Sequence, residues 1–284
     1  MEYFSWLEAR IRPGRIRAYQ SLLEREKPVL VMGRGKSGTR LVSWAISNLG
    51  VALGTAENLP AGDINHRPFR QVVKKLAQRN LGTNSLKGIH QGDLAWFQGA
   101  VFRVWRMLAQ QGELALGWGW KWPETYLITP YVFKTFPNAR FIHVLRDGRD
   151  VAFKNHLTDD SNRSLGKALL TRLGALGLPR YLQSAFSWQF QVERYMKFSR
   201  HIPVEQRFEL KYEELCGDPV GTMERIAAFL GVPMTEACRT YVLRELTATQ
   251  ISQFSKQDPE KIAKVENAIG ETLSALGYTL TDAG

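Results

Sequence analysis

Short apolar runs alternate with longer stretches of helical periodicity along this chain, and glycine or proline marks most of the joins. PVLVM (28–32), RFIHVL (140–145) and RFELKY (207–212) read as strands, and GWGWKW (117–122) as a strand end. Residues 40–49 read as a helix that Gly50 terminates. Residues 218–230 predict a capped amphipathic helix ending at Gly231, and residues 259–276 another ending at Gly277. Strand followed by helix, repeated, predicts an α/β fold with a central parallel sheet flanked by helices. No repeat or low-complexity linker divides the chain, so residues 1–284 are expected to form one domain. Residues 57–114 and 158–182 fit neither period cleanly. They are expected to be helical, irregular insertions lying over one end of the sheet.

Composition narrows the partners. Of 284 residues, 38 are Lys or Arg and 27 are Asp or Glu, a net charge of +11 that favours anionic ligands. Two cysteines, Cys216 and Cys238, match no zinc spacing and make no disulfide framework. A reducing, cytoplasmic setting is expected. The N-terminus has no apolar core of signal-peptide length, and no run approaches the roughly twenty apolar residues of a membrane span. Arg10, Arg12, Arg15 and Arg17 with Trp6 and Tyr19 could rest on an anionic membrane; interspersed Glu8, Glu24 and Glu26 favour a solvated helix face.

Between the first strand and the first helix lies GRGKSGTR (33–40). Backbone N–H groups in a glycine-containing turn at a helix N-terminus bind phosphate oxygens well. Here Gly35 and Gly38 give the turn, Arg34, Lys36 and Arg40 add charge, and Ser37 and Thr39 add hydroxyls. The order is not that of a Walker A loop, in which lysine and then a hydroxyl residue follow the last glycine. Lys36 precedes Ser37, Gly38 and Thr39 instead.

That Lys-Ser-Gly-Thr order resembles the 5′-phosphosulfate loop of sulfotransferases that use 3′-phosphoadenosine 5′-phosphosulfate (PAPS). LRDGRDVAFKN (145–155) resembles the family's second signature, in which an Arg at a strand end and a Ser eight residues later hold the 3′-phosphate. Arg146 stands at the Arg position and Lys154 at the Ser position, a departure that substitutes a point charge. An aromatic-rich helix opening at Ser187 and Trp188, the YEELCGDP…FLG block (212–231) and the segment 251–278 are similar to further blocks of that family. The C-terminal Gly-x-x-Gly-x-Trp-Lys loop of its cytosolic animal members is missing; Ser252, Ser255 and Lys256 stand in a comparable place. The resemblance implies a P-loop-NTPase-like sulfotransferase architecture, PAPS as co-substrate, no metal, no nucleic acid, and a small-molecule or carbohydrate-containing acceptor covered by residues 57–114 and 158–182.

Transfer of a sulfuryl group loads negative charge on the bridging oxygen of the leaving phosphate, which cations and oriented N–H groups stabilise. Lys36 is the first choice and Lys121, in GWGWKWPE, the second. A hydroxyl acceptor also needs a base. The animal enzymes place a His two residues after that second lysine, but Pro123 occupies the position here. Asp63 and Glu124 are favoured jointly, with Glu57, His66, His90 and His156 in reserve. The aromatic cluster of Trp96, Phe97, Phe102, Trp105, Trp118, Trp120 and Trp122 is either core or a sugar platform. The competing reading is a P-loop kinase or other NTPase, which magnesium dependence would favour.

Overall fold

A computed structural model describes residues 13–53, 66–110, 112, 115–246 and 251–281. Five strands form one sheet in the order β2-β3-β1-β4-β5, every pairing parallel. They are β1 (Val29–Met32), β2 (Ala52–Leu53), β3 (Trp118–Lys121), β4 (Arg140–Leu145) and β5 (Arg207–Lys211). Val31 pairs with Lys121 on one side of β1, and Met32 with His143 on the other; Leu145 pairs with Lys211. The carboxyl ends of β3, β1, β4 and β5 therefore line up along one rim. The strand order reverses direction around β1, which leaves a crevice at the rim where open α/β sheets take their ligands.

The two faces of β1 divide by the period of two. Val29 and Val31 face one layer, built from α2 (Thr39–Asn48), α10 (Pro219–Leu230) and α11 (Glu236–Glu245). Leu30 and Met32 face the other, which holds residues of α1 (Pro13–Arg25), α3 (Arg67–Arg79), α4 (Gln91–Gln110) and α5 (Thr129–Thr135). A third cluster joins Leu145 at the end of β4 to α6 (Gly148–Ala152), α8 (Arg180–Ser199) and α12 (Pro259–Ala275). The remaining helices are α7 (Ser164–Arg172) and α9 (Tyr212–Gly217).

Three expectations are refined. The stretch within 57–114 that is described is not a loose cover. Phe69, Val72, Val73 and Leu76 of α3, with Phe97, Val101 and Val104 of α4, are buried against Leu30, Trp118 and Trp120 of the sheet. Of the aromatic cluster, Phe97, Trp118 and Trp120 are core, with Phe69 meeting Trp120 edge-on at 5.5 Å and Trp118 meeting Phe136 at 5.8 Å, while Trp96, Phe102, Trp105 and Trp122 are half-buried at its border. The aromatic helix opens not at Ser187 but at Arg180, after Pro179, so Ser187 and Trp188 lie buried in its middle.

Candidate active site

The turn after β1 is shaped by close approach. A Cβ on Gly33 would come within 2.5 Å of the Val144 carbonyl, and one on Gly35 would overlap the imidazole of His156. Gly38 has φ of +92°, and a Cβ there would overlap the ring of Tyr212. Lys36, with φ of +77°, also adopts the left-handed region, a strained choice for a lysine in a turn. Helix α2 then begins at Thr39 with no side-chain cap on its N-terminus. Such an end presents backbone N–H groups and the positive pole of the helix to an anion. Lys36 and Arg40 are exposed beside it, while Ser37 and Thr39 are buried.

Arg34 is placed elsewhere. Its side chain is buried, with an ion pair to Asp159 and a 2.7 Å bond to the Gly35 carbonyl. Burial lowers its pKa, and Asp159 opposes that. Asp159 also takes Arg180 at 2.5 Å. The charge that the sequence assigns to the phosphate turn therefore ties that turn to the 3-10 turn Leu157–Asp159.

The second turn follows β4. Arg146 is held by Asp150 at 2.7 Å, and its guanidinium lies 4.5 Å from the centre of the Tyr212 ring. Since the same ring covers Gly38, Tyr212 separates and spaces the two turns. Burial pushes its phenol pKa well up. Trp188 donates its indole N–H to the Arg146 carbonyl at 3.1 Å. Arg149 pairs with Asp147 and Glu266 and stacks 4.1 Å over Phe254. The Phe254 N–H donates to Asp150 at 2.8 Å, which draws the turn Gln253–Lys256, with Ser255 and Lys256, toward α6. Lys154 stands between the two turns: burial lowers its pKa first, then the charges of Arg146 and Lys36, against Asp150.

Lys121 ends β3 with only 4 % of its surface exposed. Glu124 is buried in the 3-10 turn Pro123–Ile128 that follows. A chain of hydrogen bonds braces this turn: the Tyr126 hydroxyl lies 2.6 Å from His143 Nε2, and His143 Nδ1 lies 2.5 Å from Glu209. His156 is pushed down to about 3 by burial and then by Arg34, with Lys36 and Lys121 adding to the effect against Asp159. One ring thus feels the phosphate turn and the β3 lysine together. His66 instead caps α3 through the Phe69 N–H at 3.2 Å, and His90 is exposed before α4. Asp63 and Glu57 lie outside the described residues.

The structure gathers Lys36, Lys121, Arg146, Lys154 and His156 at the rim. Sequence reasoning did not single out Tyr212 or Asp159, whereas Asp147 and Asp150 read as partners for the arginines of their own helix start, and pair with Arg149 and Arg146. Tyr212 left one signal, an aromatic at the carboxyl end of β5, where the rim must run.

The model of the sulfotransferase family matches residues 28–236. The chain is 25% identical over 193 residues to a protein-tyrosine sulfotransferase of Drosophila melanogaster, a match covering 61% of this chain and 36% of that protein. It is 29% identical over 154 residues to the omega-hydroxy-beta-dihydromenaquinone-9 sulfotransferase Stf3 of Mycobacterium bovis, covering 52% of this chain and 37% of that one. The chain thus spans little more than a third of the length of these relatives. Among solved structures, the sulfotransferase domain of the Synechococcus PCC 7002 olefin synthase superposes with a TM-score of 0.57 at 15% identity, covering 91% of this chain and 98% of that one. The sulfotransferase domain of the curacin biosynthetic pathway gives 0.58 at 15% identity, covering 90% and 99%. These two share the fold, a parallel sheet flanked by helices with a P-loop-like turn.

Proposed function

Because this chain belongs to the sulfotransferase family, we propose that it moves a sulfuryl group from PAPS to a hydroxyl or amine of a small-molecule or carbohydrate-containing acceptor. The observation that carries this reading is the pair of cationic turns on neighbouring strand ends, spaced by Tyr212. A nucleotide with phosphates at both its 5′ and 3′ positions needs two such sites. The uncapped start of α2, with Lys36, Ser37 and Thr39, suits the 5′-phosphosulfate. Arg146 and Lys154 suit the 3′-phosphate.

In the reaction, the acceptor oxygen or nitrogen attacks sulfur and the bond from sulfur to the bridging oxygen breaks. The electron pair of that bond stays on the 5′-phosphate, and the acceptor proton goes to a base. Lys36 and Lys121 stabilise the charge on the bridging oxygen. Glu124, on the turn directly after Lys121, and Asp63 are assigned jointly as the base that takes the proton. The two thiols are not joined to each other, in keeping with a cytoplasmic setting. No helix among the described residues is long and apolar enough to cross a membrane.

Calorimetric titration tests the donor. Adenosine 3′,5′-bisphosphate is expected to bind at least about tenfold more tightly than AMP, a difference of about 1.4 kcal/mol. Arg146→Ala is expected to erase that preference while leaving AMP binding in place. Equal affinity of the wild type for the two nucleotides, or tighter binding of ATP with magnesium, overturns the reading.

A further inference from the structure

We infer that His156 is a fixed, uncharged hydrogen-bond donor whose Nε2–H serves the anion held by the phosphate turn beside Lys36, and that it is not the base of the reaction. The inference rests on the donor reading above, in which that anion is the 5′-phosphate end of the nucleotide.

Position comes first. A Cβ built on Gly35 would overlap His156 at Nε2, Cδ2 and Cε1, the three atoms of the distal edge of the ring. All three lie 2.1–2.3 Å from that Cβ, so the flat face of the ring, on its Nε2 side, rests against the phosphate turn. The side chain is also anchored from behind. The His156 carbonyl accepts from Arg180 at 3.1 Å, and Asp159, three residues on, pairs with both Arg180 and Arg34. Arg34 in turn holds the Gly35 carbonyl. Ring and turn are therefore parts of one ion-paired block.

The proton's position follows from one contact. The Thr158 backbone N–H donates to His156 Nδ1 at 3.2 Å, and the Thr158 hydroxyl lies 2.8 Å from the same nitrogen. A backbone N–H can only donate, so Nδ1 keeps its lone pair. The neutral ring then carries its proton on Nε2. A second proton would have to displace the Thr158 N–H in the company of Arg34, Lys36 and Lys121. Asp159 is a carboxylate acting on the ring in the opposite sense, and two arginines already occupy it.

A base needs a lone pair aimed at the acceptor, and Nε2 has none to offer. A donor needs an N–H aimed at growing negative charge, and Nε2 provides one without adding a cation to a crowded rim. Such a group strengthens its bond as charge builds on the leaving phosphate.

Three measurements test this. Nitrogen-15 spectra of the histidine-labelled wild type are expected to show His156 as the Nε2–H tautomer, with no titration from about pH 5 to 8. A ring that titrates in that window, or that carries its proton on Nδ1, overturns the inference, and this measurement needs no variant to fold. In calorimetry, His156→Phe is expected to weaken AMP and adenosine 3′,5′-bisphosphate by the same factor, about 10- to 100-fold. His156→Gln returns an amide N–H to the Nε2 position and is expected to recover binding to within about threefold of wild type. Recovery by Gln separates a lost donor from a lost space-filler. Equal weakening by Phe and Gln, or none by Phe, overturns the inference. Failure of the wild type to prefer the bisphosphate over AMP strikes the donor reading instead, and leaves the tautomer result to stand by itself.

Discussion

The turns after β1 and β4 both sit at strand ends, both carry three cationic residues within a short span, and handle them differently. After β1, Arg34 is buried on Asp159 while Lys36 and Arg40 remain at the surface. After β4, Arg146 and Arg149 are each matched by a carboxylate, Asp150 and Asp147, and half-buried Lys154 feels the charges of Arg146, Asp150 and Lys36. In both, at least one arginine is held by a carboxylate of the fold, Arg34 by Asp159 and Arg149 by Asp147. The planar guanidinium suits this role, since it makes several bonds in a fixed fork, whereas an ammonium is a compact charge on a flexible stem. A count of cations in a motif therefore overstates the charge it presents to a ligand.

Removing a built-in charge should cost the most. Asp159→Asn leaves the Arg34 guanidinium buried without a carboxylate, and should lower unfolding free energy by about 3–5 kcal/mol in a denaturant titration. The double variant Arg34→Met, Asp159→Leu should recover most of that loss. A loss under about 1 kcal/mol in the single variant would show that the pair is no structural bolt.

Gly38→Val should come next. It forces a branched side chain into the left-handed region and onto the Tyr212 ring, at a cost of about 1–3 kcal/mol in stability. Nucleotide binding should weaken by more than about tenfold, because the same ring backs Arg146. Combining it with Tyr212→Ala should relieve the overlap but not the backbone strain. Full recovery would locate the whole effect in the ring.

Lys154→Gln should have the smallest and most divided effect. The pKa of Lys154 lies below its ordinary value of 10.5 in the folded chain, so the folded state holds that proton less tightly than the unfolded one. Wild-type stability should then rise as pH climbs through the folded pKa toward 10.5, and this rise should vanish in the variant. At neutral pH the variant without ligand should melt slightly higher, yet bind the bisphosphate about tenfold more weakly with AMP unaffected. A variant that melts lower and binds normally would place Lys154 outside the site.

Much of the frame was legible because it depends on local rules. The alternation in Val29–Met32 separates the two faces, and the left-handed Gly231 and the Asp218 cap bound α10 as read. The phosphate turn was legible because glycines at Gly35 and Gly38 answer to close neighbours. The neighbours themselves were not legible: His156 and Tyr212 stand more than a hundred residues further along the chain. The same holds for Asp159, whose partnership with Arg34 joins different elements and leaves no periodic trace. The two-residue β2 was too short to register, and the opening of α8 was displaced because Pro179 lay in a stretch without clear period. His156 could be named only as one histidine among several, since its role depends on which nitrogen meets Thr158.

The borders of the sheet have a consequence for the chain in concentrated solution. An outermost strand offers a row of unused amide and carbonyl groups to any second copy that can lie alongside. Among the described residues the borders are β2 and β5. In β5, Arg207, Glu209 and Lys211 alternate with Phe208 and Leu210. An identical strand laid against β5 in parallel register would set arginine beside arginine, glutamate beside glutamate and lysine beside lysine. Like-charge repulsion guards that margin, so growth of this sheet into fibrils is disfavoured along β5.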